Sequence, residues 1–380
     1  MSSDLGALLS AERFEVEYLF EGDLAEARGK AQDLCLEQTV EFPGDLLPDG
    51  PIRDQVVGQL RALAPAGPGR TRATVSFAVE TAGGDLVQLL NVLFGNVSLK
   101  PGCRLDRLRL TEGMLSAFRG PRFGRSGLRR LLGVRGRPLI CTALKPMGLS
   151  ARELAAQARA FALGGIDLVK DDHGLADQRF SPFEERVARC AEAVAEANAV
   201  TGRSSLYMAN VTAPFDRVRE RAHRARELGA RALLFCPGLA GFDALRALAD
   251  DDGLSLPLMA HPAFLGSFVT SPSGGVSHGV LFGQLMRLAG ADMTVYPNWG
   301  GRFSFSLEEC AAIARATEEP LGALAPIFPA PGGGMTTERA PEMRHVYGRE
   351  FVLLIGGGLH RRSADLAANA RHFVELLETL

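Results

Sequence analysis

From about residue 139 onward, short apolar runs alternate with amphipathic stretches along the chain. This alternation is typical of parallel strands joined by helices. Ser150–Leu163 and Glu184–Ala197 have the helical pattern, and Ser150 and Glu153 stand in the spacing of a capping box. The pattern predicts eight strands, at Leu139–Leu144, Ile166–Asp171, Ser204–Asn210, Ala232–Cys236, Leu256–Ala260, Asp292–Tyr296, Ala323–Phe328 and Val352–Ile355.

Eight strand and helix units in about 250 residues have the count and size of a (β/α)8 TIM barrel. An open, doubly wound sheet is the alternative, but no G-x-G-x-x-G motif follows the first strand. In a barrel, the chemistry takes place at the C-terminal ends of the strands and in the loops that follow them. We therefore expect the functional residues at those positions.

The first part of the chain has a different pattern, which predicts a smaller α+β domain of the ferredoxin-like type. Its expected elements are the strands Phe14–Phe20, Thr71–Val79 and Arg104–Leu110 and the helices Leu24–Leu36 and Asp85–Phe94. The sequence thus predicts an N-terminal domain at residues 1–125 and a catalytic barrel at residues 126–380.

The composition is that of an ordinary globular protein, with 46% hydrophobic and 23% charged residues among 380. A net charge of -2 argues against binding to nucleic acid. Because the sequence has neither an apolar stretch of about 18 residues nor a secretion leader, we expect a cytoplasmic protein that does not bind membranes. The six cysteines lack C-x-x-C spacing, so we expect reduced, buried thiols.

Lysine is rare in this chain, since only four of its 42 basic residues are lysines. Arginine serves wherever charge alone is needed, so the few lysines are candidates for sites that require an amine able to lose its proton. Two of them, Lys145 and Lys170, end the first and second predicted barrel strands.

Four ionisable residues, Lys170, Asp171, Asp172 and His173, end the second strand. Strand alternation predicts Lys170 and Asp172 on one side, with Asp171 and His173 on the other. Carboxylate oxygens suit Mg²⁺, whereas a lysine with its ordinary pKa of about 10.4 is cationic and repels a metal ion. The alternative is a solvated turn with a Lys–Asp pair.

Two further residues at strand ends are candidates for proton transfer. Lys145 suits a general base, or a partner for a phosphate or enolate oxygen, with a structural ion pair as the alternative. His261 follows the fifth strand and suits proton transfer or a hydrogen bond to a substrate hydroxyl, with a core histidine as the alternative. The loop 296–303 after the sixth strand is either a lid or a fixed wall.

Runs of three glycines follow the seventh and eighth strands. In barrels these two loops often hold a phosphate, because glycines let backbone N–H groups approach an anion closely. Each run could also be a simple turn, but the pair at these loops predicts a phosphorylated small-molecule substrate. The predicted phosphate-binding residues are Gly332, Gly333, Gly334, Gly356, Gly357 and Gly358.

In this ordered combination, the sequence resembles the large-subunit superfamily of ribulose-bisphosphate carboxylase (RuBisCO). The matching motifs are Gly-Gly-Ile-Asp-Leu-Val-Lys-Asp-Asp at 164–172, Thr-x-x-Lys-Pro at 142–146, Phe-Gly-Asn-Val at 94–97, Leu-Glu-Gln-Thr at 36–39 and the two glycine loops. The resemblance implies that Lys170 reacts with CO₂ to form a carbamate, which binds Mg²⁺ beside Asp172 and His173. It also implies a homodimer or an assembly of dimers, in which Glu37 and Asn96 reach the neighbouring subunit's barrel mouth.

Four departures separate the chain from the carboxylases of that family. His173 stands where a glutamate ligand is usual, and Met147 replaces the second lysine of a Lys-Pro-Lys segment that is one residue shorter here. Pro262 follows His261 in place of an arginine, and the loop after the sixth strand lacks the lysine needed for carboxylation. The resemblance therefore implies a RuBisCO-like protein of the form IV type rather than a true carboxylase.

RuBisCO-like relatives include a methionine-salvage enolase, a methylthioribulose-phosphate isomerase, and decarboxylases or transcarboxylases of sugar phosphates. We accordingly expect a Mg²⁺-dependent isomerase or lyase that enolises a phosphorylated keto-sugar or keto-sugar acid, by proton transfer or by loss of CO₂. One alternative is a metal-free barrel lyase or aldolase that forms a Schiff base on a strand-end lysine. Another is a catalytically silent protein that binds a phosphate ligand and has lost its metal through His173.

Overall fold

The structure is a computed structural model that describes residues 2–335 and 337–379. The chain divides into two compact units. The first contains the chain up to Phe118 with Leu265–Gln284 and Pro320–Leu324, and the second contains Arg119–Phe264, Leu285–Glu319 and the chain from Ala325 onward. No helix within the described part is long and apolar enough to cross a membrane.

In chain order, the strands are β1 Arg13–Glu21, β2 Gln59–Pro65, β3 Arg70–Ala78, β4 Cys103–Arg109, β5 Leu139–Leu144, β6 Leu168–Asp171, β7 Leu206–Asn210, β8 Ala232–Phe235, β9 Leu258–Ala260, β10 Gly275–Val276, β11 Met293–Pro297, β12 Phe328–Gly332 and β13 Val352–Leu354. The α-helices are α1 Ser2–Leu8, α2 Leu24–Glu37, α3 Leu86–Phe94, α4 Glu112–Leu115, α5 Gly124–Leu132, α6 Ala151–Leu163, α7 Phe183–Thr201, α8 Phe215–Glu227, α9 Pro237–Ala240, α10 Phe242–Asp250, α11 Gly266–Val269, α12 Met286–Leu288, α13 Leu307–Ala316, α14 Ala340–Tyr347, α15 Gly357–His360 and α16 Leu366–Glu378.

The second unit is built on a parallel sheet that, within the described residues, has eight strands in the order β12-β11-β9-β8-β7-β6-β5-β13. Strand β13 pairs with β5, so the last strand lies beside the first. It also packs against β12, since a Cβ added at Gly332 would stand 2.9 Å from Leu354 Cδ2. Because Pro329 and Pro331 in β12 have no N–H group, this strand has fewer donors for hydrogen bonds to its neighbours. The predicted barrel is confirmed.

Alternate residues of these strands fill the barrel interior. Leu139 and Cys141 of β5, Leu168 of β6 and their counterparts on the other strands form one buried cluster with Leu128 and Leu132 of α5. Side chains alternate along a strand, so the next inward position on β6 belongs to Lys170. The apolar interior therefore ends in a lysine at the C-terminal face.

The seventh barrel strand begins later than the sequence predicts, at Phe328 instead of residue 323. The backbone before Phe328 has other partners, because the carbonyls of Ala325 and Pro326 accept hydrogen bonds from arginines and Ile327 N donates to Thr317 O. Gly332 is consequently the last residue of the strand rather than part of the following loop. The observed limits of the other seven strands differ from the predicted ones by at most two residues.

The first unit contains a smaller mixed sheet in the order β10-β4-β1-β3-β2. Its strands pair antiparallel except for β10, which runs parallel to β4. The predicted α+β domain is confirmed, although the sequence analysis missed two strands. Strand β2 has no clear alternation of buried and exposed residues, and β10 has only two residues, too few to show a period.

Candidate active site

The ends of β5 and β6 bring three of the expected residues together. Lys145 Nζ lies 3.0 Å from Asp172 Oδ1. Lys170 is only 2% exposed, and its amine donates to the carbonyl of Asp171 at 3.0 Å. Burial lowers the pKa of Lys170, which favours the neutral amine. A neutral amine is the form that reacts with electrophiles such as CO₂.

Asp172 is the carboxylate of the site. Burial alone would raise its pKa, but a hydrogen bond from His173 and the charges of Lys170 and Lys145 bring the pKa of Asp172 far below its ordinary value. Asp172 is therefore ionised at neutral pH. A single carboxylate with three basic neighbours leaves the site able to accept further negative charge.

His173 does not lie on the side that strand alternation predicts, because β6 ends at Asp171. Its Nδ1 lies 3.5 Å from Asp172 Oδ1. Its ring stacks on that of His261, with ring centroids 4.2 Å apart and an angle of 14° between the planes. The two histidines therefore line one side of the carboxylate.

His261 follows β9 and is half-buried. Its Nδ1 accepts a hydrogen bond from Ala263 N at 3.2 Å, so in the neutral ring the hydrogen is on Nε2. Burial, together with the neighbouring basic groups of Lys170 and His173, holds the pKa of His261 well below its usual value. His261 is thus a neutral hydrogen-bond donor at Nε2.

Asp171 faces the opposite direction, as the alternation predicts. Its carboxylate accepts from Tyr207 Oη at 2.8 Å, Asn210 N at 3.1 Å and Arg186 Nε at 3.2 Å. Arg186 and Asp171 are both fully buried. These bonds occupy Asp171 and leave Asp172 as the carboxylate directed toward the site.

Asn210, which the sequence analysis did not select, holds the loop that follows β6. Its side-chain amide donates to His173 O at 3.0 Å and to Leu175 O at 2.9 Å, and the residue is buried. Nothing in the sequence distinguishes this asparagine from any other at a strand end. Its role depends on the pairing of β6 with β7.

The two glycine loops contact each other beside Lys145. A Cβ added at Gly358 would stand 2.8 Å from Met335 O, and one at Gly356 would stand 4.0 Å from Lys145 Cε. Gly333 and Gly334 have φ values of 88° and 91°, which side chains rarely adopt. The predicted phosphate loops are therefore neighbours of the strand-end lysine.

The loop after β11 is hydrogen-bonded at its base to the first glycine loop. Asn298 N donates to Gly332 O at 2.8 Å, and Arg302 N donates to Gly333 O at 3.0 Å. Trp299 is tied to α14 by a hydrogen bond from Nε1 to Glu342. The exposed side chain of Arg302, which the sequence analysis also missed, has its Cγ 3.0 Å from where a Cβ of Gly334 would be. The aliphatic part of the Arg302 side chain therefore lies beside Gly334, the third glycine of the first run, and its guanidinium carbon lies 5.5 Å from the centroid of the Phe303 ring.

The site has few side-chain ligands for a metal ion. Residues 2–335 and 337–379 contain no group of three or more His, Cys, Asp and Glu side chains placed to hold one. Asp172 and His173 supply one carboxylate and one imidazole, and a carbamate on Lys170 would add a further oxygen ligand. The buried amine of Lys170, whose pKa is lowered, fits that modification, whereas the imidazole of His173 is a less typical Mg²⁺ ligand than a carboxylate.

Glu37 and Asn96 lie together in the first unit. Asn96 Nδ2 donates to Glu37 Oε1 at 3.0 Å, and Glu37 Oε2 lies 3.6 Å from Lys100 Nζ. The two residues that the family resemblance assigns to one function are therefore already paired within the chain. Their approach to a neighbouring subunit stays a prediction.

Comparison with known proteins agrees with this arrangement. Residues 124–375 match the family model "Ribulose bisphosphate carboxylase large chain, catalytic domain". The chain belongs to the RuBisCO large-chain family. Ribulose bisphosphate carboxylase-like protein 1 of Rhodopseudomonas palustris is 40% identical to it, covering 96% of this chain and 97% of that protein.

Two further relatives place the chain within the RuBisCO-like group of the family. The 5-methylthioribulose-1-phosphate isomerase of Rhodospirillum rubrum is 36% identical, covering 96% of each chain. The crystal structure of a RuBisCO-like protein from Rhodopseudomonas palustris superposes with a TM-score of 0.87 at 38% identity, covering 96% of this chain and 97% of the other. The fold and the membership that the motifs predict are both confirmed.

Proposed function

We propose that this RuBisCO-like protein is a Mg²⁺-dependent enzyme that enolises a phosphorylated keto-sugar or keto-sugar acid, without net fixation of CO₂. The observation that carries the proposal is the convergence of Lys145, Lys170 and Asp172 beside the paired glycine loops. The relative from Rhodospirillum rubrum, named as an isomerase of a sugar phosphate, supports the same substrate class.

Lys170, as a carbamate, Asp172 and His173 would hold the ion. When bound, Mg²⁺ supplies Lewis-acid polarisation of a substrate carbonyl and stabilises negative charge on its oxygen. The surplus of basic groups around Asp172 accommodates the negative charge that a carbamate adds. The remaining steps of the reaction depend on the side chains around the ion.

Lys145 is the residue proposed to move the proton. Its side chain is 39% exposed, so it remains accessible to a substrate while it pairs with Asp172. The ammonium first gives up a proton to solvent and leaves Asp172, and the neutral amine then takes a proton from the carbon next to the carbonyl, while the electron pair of that C–H bond forms the enolate. His261 donates its Nε2–H to an oxygen of the substrate, and the same groups return a proton in the second half-reaction.

The glycine loops are proposed to bind the phosphate. The carbonyls of Gly332 and Gly333 already accept hydrogen bonds from Asn298 N and Arg302 N. These two carbonyls therefore do not take up the N–H groups of the glycine loops, which remain for the phosphate. Arg302, whose aliphatic stem lies beside Gly334, would supply a cation for the phosphate. Carboxylation is not part of the proposal, because no lysine follows Lys170 in the sequence.

A homodimer belongs to the same proposal. The exposed flank of the Glu37 and Asn96 pair would face the barrel mouth of a second copy. A crosslink between a cysteine at position 37 and one at a barrel loop of the other copy would test this arrangement.

The function is tested by exchange of solvent deuterium into a panel of enolisable sugar phosphates, with Mg²⁺ and bicarbonate present. We expect exchange that a chelator abolishes and that Lys170→Ala lacks. Exchange that is indifferent to the chelator and to Lys170→Ala would end the metal and carbamate proposal. The lowered pKa of Lys170 also suits a Schiff base, so borohydride is added in a parallel reaction. A reduced covalent adduct at Lys170 would favour the lyase or aldolase instead, and tight binding without exchange would favour a silent binding protein.

A further inference from the structure

One side chain binds both backbone polar groups of the strand-end lysine. Lys145 N donates to Gln157 Oε1 at 3.2 Å, and Gln157 Nε2 donates to Lys145 O at 2.6 Å. Gln157 belongs to α6, the helix that follows β5 in the barrel. We call this pair of bonds the Gln157 clamp.

The clamp acts where the sheet no longer holds the chain. Strand β5 ends at Leu144, and Pro146 has no N–H, so Lys145 is the first residue outside the ladder and its neighbour cannot donate. The ion pair between Lys145 and Asp172 is partly exposed, and pairs of this kind contribute little orientation of their own. The position of the Lys145 backbone therefore depends on Gln157.

We propose that Gln157 is a positioning residue that sets where the amine of Lys145 stands relative to Asp172 and the substrate. The inference rests on the proposed function of Lys145 in proton transfer. It adds Gln157, a residue that belongs neither to the sequence motifs nor to the charged cluster of the site. Proton transfer requires heavy atoms within hydrogen-bond reach, so a small backbone shift at Lys145 takes the amine out of range.

The chain offers a matched control in another clamp of the same kind. Asn198 Nδ2 donates to Ser205 O at 2.9 Å, and Ser205 N donates to Asn198 Oδ1 at 2.9 Å. Ser205 immediately precedes β7, so this clamp lies at the N-terminal end of a barrel strand. If such clamps only stabilise the barrel, removing either of them has the same consequence.

The first test compares Gln157→Met with Asn198→Ala in the full-length protein with Mg²⁺ and bicarbonate. We expect both variants to lower the melting temperature, and only Gln157→Met to lower kcat, by about a hundredfold with little change in KM. In a Lys145→Ala background, Gln157→Met should cause no further loss of kcat. An equal effect of both variants on kcat, or a loss that persists without Lys145, would overturn the proposal.

The second test does not require turnover. The chain has only four lysines, so reaction of each amine with trinitrobenzenesulfonate can be followed by peptide mass spectrometry. Gln157→Met should raise the labelling rate of Lys145 at least severalfold relative to Lys30, because the amine leaves Asp172, and Asn198→Ala should not. Unchanged labelling of Lys145 would contradict the positioning role. If labelling changes while the wild-type protein shows no exchange with any substrate, the positioning role stands and the proposed function fails.

Discussion

His173 and His261 stack face to face at the barrel mouth, with ring centroids 4.2 Å apart. The stack joins the loop after β6 to the loop after β9, two elements that are distant in sequence. It also places an imidazole at the position where carboxylases of the family usually have a glutamate. The affinity of the proposed metal site should therefore depend on what stands at residue 173.

Replacing His173 with glutamate tests that dependence. We expect His173→Glu to bind Mg²⁺ about tenfold more tightly in the presence of bicarbonate, because a carboxylate adds charge and a hard oxygen ligand. Isothermal titration calorimetry measures the affinity directly. Asp172→Asn is the matched control and should lose binding. Equal affinities in the wild type and in His173→Glu would mean that residue 173 is not a ligand.

Two glycine substitutions test whether the contact between the two glycine loops shapes the phosphate site, or whether the glycines only form turns. Gly358→Ala should raise KM for the phosphorylated substrate and lower the melting temperature, since its Cβ would stand 2.8 Å from Met335 O and push the two loops apart. Gly357→Ala meets no atom within 4 Å and should have a small effect on both quantities. A similar KM for both variants would indicate that the contact between the loops does not shape the phosphate site.

Removal of the Arg302 guanidinium tests whether this arginine helps to hold the phosphate. We expect Arg302→Ala to weaken competitive inhibition by inorganic phosphate by about tenfold, the size of one charge-assisted hydrogen bond, and Arg302→Lys to restore part of it. Arg315→Ala removes an exposed arginine of α13 and serves as the control. If wild-type protein binds phosphate and Arg302→Ala binds it equally well, the anion is held by the glycine backbone alone.

Much of this site follows from the sequence, because strand ends in a barrel meet at one face. The apolar run that ends in Lys170 and Asp172 predicts both their location and the opposite orientation of Asp171. The orientation of His173 could not be predicted from alternation, since the strand ends two residues before it. The clamp by Gln157 depends on how a helix packs behind β5, and periodicity carries no information on a single hydrogen-bonded pair.

The late start of the seventh barrel strand, at Phe328 instead of residue 323, also depends on tertiary contacts that periodicity does not show. Residues 323–327 are apolar enough for a strand, and the prolines that follow argue against one. Tertiary partners decide the outcome, because the backbone before Phe328 bonds to side chains and to Thr317 instead of to a neighbouring strand. Local pattern therefore predicts which segments of this barrel are strands better than it predicts where each strand begins.

The buried ion pair between Arg186 and Asp171 should contribute strongly to the stability of the fold. Arg186→Met leaves the Asp171 carboxylate buried without its cation, and we expect a loss of about 3–5 kcal/mol in the free energy of unfolding. Arg189→Ala on the same helix removes an exposed pair with Glu185 and should cost at most about 1 kcal/mol. Urea denaturation measures both values. Adding Asp171→Asn to Arg186→Met should recover part of the loss, and no recovery would mean that Arg186 acts mainly through the loop carbonyls that it binds.

A carboxylate outside the site should contribute to the loss of stability in acid. Burial opposes ionisation of Asp251, but hydrogen bonds from His223 and Arg219 lower the pKa of Asp251 to about 2. Because this value is below the ordinary pKa of about 3.9 for an unfolded chain, the stabilisation is complete above pH 4 and is lost as the pH falls from about 4 to about 2. Asp251→Asn should therefore be less stable than the wild type at pH 6, and the difference should shrink at pH 2.5. Denaturation curves at the two pH values measure it, and a constant difference would mean that Asp251 acts through its bonds to the Gly253 and Leu254 amides rather than through its charge.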